Sequence, residues 1–331
     1  AYSRDSRPLL LLWADYGLRK AWCNMPSTRV RGAANSNAST ITIWWIRRDL
    51  RIYDNPALQA ALDDGEAIIP LFIQDPVLQK SAYVGEKRLA FLIANLQVLD
   101  QILRKRGGRL IVRQGDPLQV LDTLIEETGA SSIFAQEDIS PYAIARDATI
   151  AKQLPLILTA GLTVHPPQAI RKIDGSAYTV FTPYSKTWKN VPLPSLQPAP
   201  ERIPVPDHIA SLPIPTAGND TGRIPFPAGE QEAQRRLVAF LEGENPPVGS
   251  YQESRNRMDL EGTSALSPYF RFGMLSPRQA VSAAQELLDH ATPDPVRVSI
   301  QIWMNELIWR EFFISILANF PEVRKTSFRQ D

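Results

Sequence analysis

From residue 41 onward, short apolar runs rich in β-branched residues alternate with longer stretches of helical period. ITIWWIR (41–47), EAIIPLFI (66–73), RLIVR (109–113), SSIFAQ (131–136) and LTVH (162–165) read as strands. Between 86 and 106, Leu89, Leu92, Ile93, Leu96, Leu99, Ile102 and Leu103 recur at three and four residues, which predicts a helix with one apolar face. Such alternation predicts an α/β fold: a Rossmann-like parallel sheet with helices on both faces. Ligands in sheets of this kind bind beyond the carboxyl ends of the strands. Neither G-x-G-x-x-G nor G-x-x-x-x-G-K-[ST] follows any of these strands, which argues against a dinucleotide or P-loop site.

The texture changes after residue 191. Ten prolines in the 36 positions 192–227 exclude helix there and predict an extended, semi-rigid connector. Residues 229–242, 276–290 and 296–319 then return to helical period, with no strand among them. The expected organisation is an α/β domain over 41–170, a connector over 171–227 and an all-α domain over 228–331.

Composition adds mostly exclusions. A single cysteine, Cys23, allows no internal disulfide, and the three histidines (His165, His208, His290) show no ligand spacing, so no metal is expected. This suits a reducing, cytoplasmic compartment. The chain's net charge is +1, and six Lys/Arg against two acids in the first 40 residues leave −3 for the rest. A nucleic-acid partner would therefore have to meet a local patch. The apolar run at 7–17 is cut by Asp15 and is too short to span a bilayer, so no membrane role is expected. Residues 1–40 read as a disordered leader, with Met25 inside it as a start.

Two stretches carry candidate chemistry. In WMNELIWREFF (303–313), Glu306, Trp309 and Arg310 fall on one side of a helix. The plain reading is core packing for Trp303 and Trp309, with an i,i+4 ion pair between Glu306 and Arg310. Burying the indole beside two charges would bury charge as well, unless that side lines a polar cavity. A flat aromatic wall with one carboxylate suits a planar, hydrogen-bonding ligand such as a nucleobase. In YQESRNRMDLEGTSALSPYFRFGMLSP (251–277), Thr263, Ser264 and Ser267 cluster behind Gly262 at an expected helix start. They offer either plain N-capping or an anion site for a group such as pyrophosphate. Arg255 and Arg257, with Tyr251 nearby, suit either a phosphate backbone or a solvated helix face.

Taken together, these segments resemble the photolyase/cryptochrome family, over roughly 290 residues from about residue 41. WWIRRDLRIYDNPAL (44–58) resembles its opening signature, and VFTPYSKTWKN (180–190) the segment leading into its connector. EGTSALSPYFRFGMLSP and WMNELIWREFF resemble its flavin and DNA-site motifs. The nearest type is a class I cyclobutane pyrimidine dimer photolyase.

That resemblance implies light-driven electron donation from reduced FAD into a flipped-out dimer in UV-damaged DNA. It implies that Trp309 stacks on the lesion and Glu306 hydrogen-bonds its thymine edge. Arg255 would touch DNA phosphate, with Asn305 and Arg310 beside these roles. Tyr251, Thr263, Ser264, Ala265, Leu266 and Ser267 match positions that hold FAD. DISPY (138–142) is closer to the deazaflavin-type antenna motif D-x-E-P-Y, with Ser140 in place of its acid, than to the folate type, which carries Asn-Glu at Tyr142-Ala143. The resemblance implies a deazaflavin antenna or none, with Asp138 as the contact. A monomer is expected. A cryptochrome-like photoreceptor that signals without repair is the alternative. Family members continue further, so the chain reads as an N-terminal fragment whose all-α FAD-binding domain is truncated.

Overall fold

The computed structural model describes residues 40–79, 84–216, 226–290 and 294–328. The expected leader, apart from Thr40, lies outside the described residues. Five parallel strands form one sheet in the order β3-β2-β1-β4-β5: β1 (Ile41–Ile46), β2 (Ala67–Gln74), β3 (Ile111–Gln114), β4 (Ser132–Gln136) and β5 (Leu156–Thr159). Strand β1 pairs with β2 on one side and β4 on the other, with Ile43 beside both Ile69 and Ile133. Its alternate residues feed two cores. Trp44 and Ile46 pack on one face of the sheet, Ile43 and Trp45 on the other, and all four are essentially inaccessible.

The connecting helices begin where local chemistry dictates. In α1 (Pro56–Asp64), Asn55 accepts hydrogen bonds from the amides of Ala57 and Leu58, and proline occupies the first turn. The short α2 (Pro76–Gln79) and the long α3 (Glu86–Arg104) follow β2. Asp116 caps α4 (Pro117–Thr128) and Ser140 caps α5 (Pro141–Ala151), again with proline in the first turn.

One strand expectation fails. Residues 162–165 are not a strand; the fifth strand is Leu156–Thr159. The LTVH segment is a fully buried loop whose backbone is satisfied by side chains of a distant helix. The Val164 amide donates to Glu311, and the Leu162 carbonyl accepts from Arg310 at 3.0 Å. Periodicity cannot separate such a loop from a short buried strand.

Within the span expected as connector, residues 181–190 form a helix, α6 (Phe181–Asn190), while the described part of the proline-rich stretch is extended. Helices α7 (Glu230–Leu241), α8 (Tyr251–Ser254), α9 (Ser267–Phe272), α10 (Pro277–Asp289) and α11 (Asp294–Asn319) complete the chain. The expected helix start at Ser276-Pro277 is a capping box, Ser276 and Gln279 satisfying each other's amides. No helix among the described residues is long and apolar enough to cross a membrane.

The signature RRDLRIYDN (47–55) turns out to be a clasp between sheet and helices. The Arg51 guanidinium, 1% exposed, donates to the Gly273 carbonyl at 2.9 Å and to the Asp54 carbonyl at 2.9 and 3.0 Å. Asp54, also buried, holds Arg278 of α10 at 2.9 Å. Glu230, the first residue of α7, accepts from the amides of Ile52 and Tyr53, both at 2.9 Å. Asp49 accepts from the Trp44 indole and the Arg47 amide. Each buried charge here meets a partner, as burial requires.

Candidate functional site

A cavity of about 320 Å³ opens where the sheet order reverses, beyond the carboxyl ends of β1 and β2. Its walls are apolar, from Trp45, Phe72, Leu92 and Leu96, and its rim is rich in arginine. Arg47 and Arg146 share Asp147 and lie over the Trp45 ring at 4.8 and 4.7 Å. Asp138, the expected antenna contact, lines this cavity and pairs with Arg48 at 3.2 Å. Burial alone would raise its carboxyl, but the Arg48 charge and the Ser140 amide bring it below the usual range. The Tyr142 hydroxyl donates to Asp75 at 2.5 Å; burial and that carboxylate push the phenol up to about 12.

A second group of side chains lies along the outer edge of α11. Glu306 does not pair with Arg310 as its spacing suggested. It accepts from Arg255, which caps the end of α8, at 2.5 Å, both groups remaining partly exposed. Arg310 turns inward instead, donating to Leu162 and lying 5.7 Å from the Phe270 ring; burial pushes it down to about 10. The tertiary partners outcompete the local pair because an exposed i,i+4 contact contributes only about 0.2–0.5 kcal/mol.

Trp303 packs in the core against Phe240, as its plain reading required. Trp309 does not enter the core. It is half-buried, with its ring against Phe181 at 3.6 Å between centroids and 5° between planes. The buried Oδ1 of Asn305 has no hydrogen-bond partner among the described residues.

Tyr251 is buried beneath Arg255, and burial, reinforced by the Glu306 charge, raises its phenol. The segment 262–267 folds onto α8, with Ser254 Oγ donating to the Gly262 carbonyl at 3.3 Å. A side chain at Gly262 would sit 2.4 Å from the Ser254 carbonyl, so the close approach needs glycine. The capping reading of the Ser/Thr cluster does not apply, since α9 starts from Leu266 with no side-chain cap. Thr263, Ser264 and Ser267 keep their hydroxyls free of side-chain hydrogen bonds among the described residues. With only six residues, α9 adds little dipole, so any ligand contact here falls to the hydroxyls and amides themselves. Tyr251, Arg255, Glu306 and 262–267 thus meet around α8. Trp309 stands one helical turn away, and Arg310 faces inward.

Sequence reasoning missed Glu311. It is fully buried and accepts from Trp188 Nε1 at 2.6 Å and from the Val164 amide, tying α6, the 162–165 loop and α11 together. Burial pushes its carboxyl up to about 7, against hydrogen bonds and Arg310, which favour the charged form. An unfolded glutamate titrates near about 4.3. The folded state therefore holds this proton more tightly. Its stabilising contribution is present below the unfolded value and is lost as pH rises through about 7. Glu311→Gln removes the titration but faces two donors with one acceptor, costing about 1–3 kcal/mol where the wild-type carboxyl is protonated. Wild type should then lose about 3 kcal/mol relative to Glu311→Gln between about pH 5 and pH 8 in denaturant melts, closing or reversing the gap. Burial holds His165 down to about 4, which acts in the opposite sense but is common to both proteins. Parallel pH profiles would show that Glu311 does not titrate in this window.

Among the described residues no His/Cys/Asp/Glu group could hold a metal ion. Residues 42–205 match the DNA photolyase family. The chain is 35% identical over 281 residues to an "Uncharacterized 31.6 kDa protein" of Synechococcus sp. (strain PCC 6716), a match covering 82% of this chain and 98% of that one. It is 33% identical over 307 residues to the deoxyribodipyrimidine photo-lyase of Synechococcus sp. (strain ATCC 27144 / PCC 6301 / SAUG 1402/1), covering 87% of this chain but 62% of that protein. A bacterial class III photolyase from Agrobacterium tumefaciens superposes with a TM-score of 0.77 at 26% identity, covering 90% of this chain and 63% of that one. For a Synechocystis sp. PCC6803 cryptochrome the TM-score is 0.74 at 25% identity, covering 86% and 62%. The chain therefore spans about three fifths of the named relatives it matches. With the sheet order, the ordered motifs and these likenesses in agreement, the chain belongs to the photolyase/cryptochrome family.

Proposed function

We propose that this chain carries the lesion-facing edge of a light-driven DNA-repair enzyme acting on cyclobutane pyrimidine dimers. The observation that carries the reading is the edge of α11. A half-exposed carboxylate, Glu306, and an indole, Trp309, stand one turn apart, with Tyr251 and the free hydroxyls of 263–267 grouped behind Glu306 around α8. Trp309 supplies a flat face for an extruded pyrimidine, and Glu306 an acceptor for its N–H edge. Arg255 gives one N–H to Glu306 and keeps others for a backbone phosphate. Asn305 adjoins Glu306 on α11, its Oδ1 turned into the protein.

The residues present fit FAD. Three hydroxyls without side-chain hydrogen bonds among the described residues, and a glycine that lets their loop lie on α8, suit a ribityl-pyrophosphate chain, with Tyr251 as a wall. Reduced FAD, when bound, supplies the electron that opens the cyclobutane ring and recovers it afterwards. The protein's own share is to extrude, orient and shield the lesion. The apolar, arginine-rimmed cavity at the strand ends suits a planar antenna chromophore. A deazaflavin is proposed over a folate, with Asp138 as its contact, because Tyr142 closes on Asp75 where folate-binding members carry asparagine.

One observation favours the second reading, a cryptochrome-like photoreceptor. Both Glu306 and Trp309 are engaged within the chain, by Arg255 and Phe181, and DNA must displace or share those contacts. Light-dependent removal of thymine dimers from an oligonucleotide separates the two readings. Repair requires both side chains, so Glu306→Ala combined with Trp309→Ala should abolish it, at about 10²-fold or more.

A further inference from the structure

An indole has two faces, and the chain itself takes one of Trp309's. The Phe181 ring lies parallel to it in van der Waals contact, at 3.6 Å and 5°. Phe181 is the first residue of α6, and its ring also meets Phe312 of α11 at 5.9 Å and 77°. It extends the buried Tyr184–Trp188 stripe of α6 by one turn, to the edge where α11 turns towards solvent. Phe313, 61% exposed, also stacks against Trp309, more loosely, at 5.5 Å and 25°.

We infer that Phe181 is a positioning residue for the lesion-binding edge: it fixes the plane of the Trp309 indole on which an extruded pyrimidine stacks. This rests on Trp309 being the stacking residue proposed above. An indole on the outer edge of a helix, unsupported, has rotamer freedom that a stacked base would have to remove. A parallel ring removes it beforehand, so binding is preorganised. Phe181 lies 128 positions from Trp309 in the sequence, and α6 brings the two together.

The test is equilibrium binding of the full chain, in the dark, to a single-stranded oligonucleotide carrying one thymine dimer and to its undamaged twin. The readout is the ratio of the two affinities, which a merely structural loss would leave unmoved because both would weaken alike. Trp309→Ala should remove most of the ratio. Phe181→Leu and Phe181→Met should each lower it about three- to tenfold, and Phe181→Tyr should restore it. Should the leucine variant fail to fold, the near-isosteric methionine variant gives the same reading. An unchanged ratio in the aliphatic variants, with the ratio lost in Trp309→Ala, overturns the role of Phe181 alone. A wild-type chain without lesion preference, or a preference that survives Trp309→Ala, overturns the stacking role on which it rests.

Discussion

A chain carrying Gly273→Ala is expected to lose about 3–5 kcal/mol of stability. Two costs meet at this position. Gly273 ends α9 with φ 72°, the left-handed region, where an L side chain costs about 1–2 kcal/mol. An added Cβ would also lie 1.8 Å from the Arg48 carbonyl oxygen and 2.7 Å from Asp49 Cα. Those are backbone atoms of the segment that leaves β1, and they cannot swing aside as a side chain could. Either the helices lift away from the sheet or the clasp breaks, since the Gly273 carbonyl accepts from Arg51 and the Phe272 carbonyl from the Leu50 amide. Gly129→Ala is the control. It has the same backbone conformation at φ 68° with nothing within 4 Å, and should lose only about 1–2 kcal/mol. Urea melts of the two variants give the difference. Equal losses would mean that sheet and helices do not pack at Gly273 as described.

Asp54→Ala should cost a similar amount, about 3–5 kcal/mol, for an electrostatic reason. Asp54 is wholly buried and balances Arg278, itself nearly buried, at 2.9 Å. Removing the carboxylate leaves a guanidinium without its counter-charge in a place water does not reach. It also strips the Gln197 amide of an acceptor at 3.2 Å and puts alanine at φ 51°, which aspartate tolerates better. The origin of the loss can be isolated. Adding Arg278→Met to Asp54→Ala removes the orphaned charge, so the double variant should be more stable than Asp54→Ala alone. Strictly additive losses would show that the pair is not coupled.

The sheet was legible because β1 to β4 are β-branched runs bounded by turn residues, and the long helices because their apolar period persists. Proline after Ser276 marked one helix start, and the same signal at Asn55-Pro56 and Asp116-Pro117 went unread. LTVH was misread because its partners, Arg310 and Glu311, lie some 148 residues away. The same distance hid the clasp. Arg51 and Asp54 stand in the signature as ordinary charges, and nothing local says that Gly273 and Arg278 will cover them.

For the candidate site, the helical spacing suggested one pairing, Glu306 with Arg310, that the fold does not make. Glu306 turns to Arg255 and Arg310 to Leu162, because contacts made across the fold outweigh a weak helical pair. Phe181 stood in a segment recognised only as leading into the connector, and nothing local ties it to Trp309.

The most direct measurement follows thymine dimers in an oligonucleotide under blue light, with the 331-residue chain loaded with FAD and reduced. Dimers should disappear in the light, persist in the dark, and persist in the light with the Glu306→Ala, Trp309→Ala chain. Dimers that outlast illumination with the flavin bound, or repair that survives the double substitution, would contradict the assignment of this edge of α11 to the lesion.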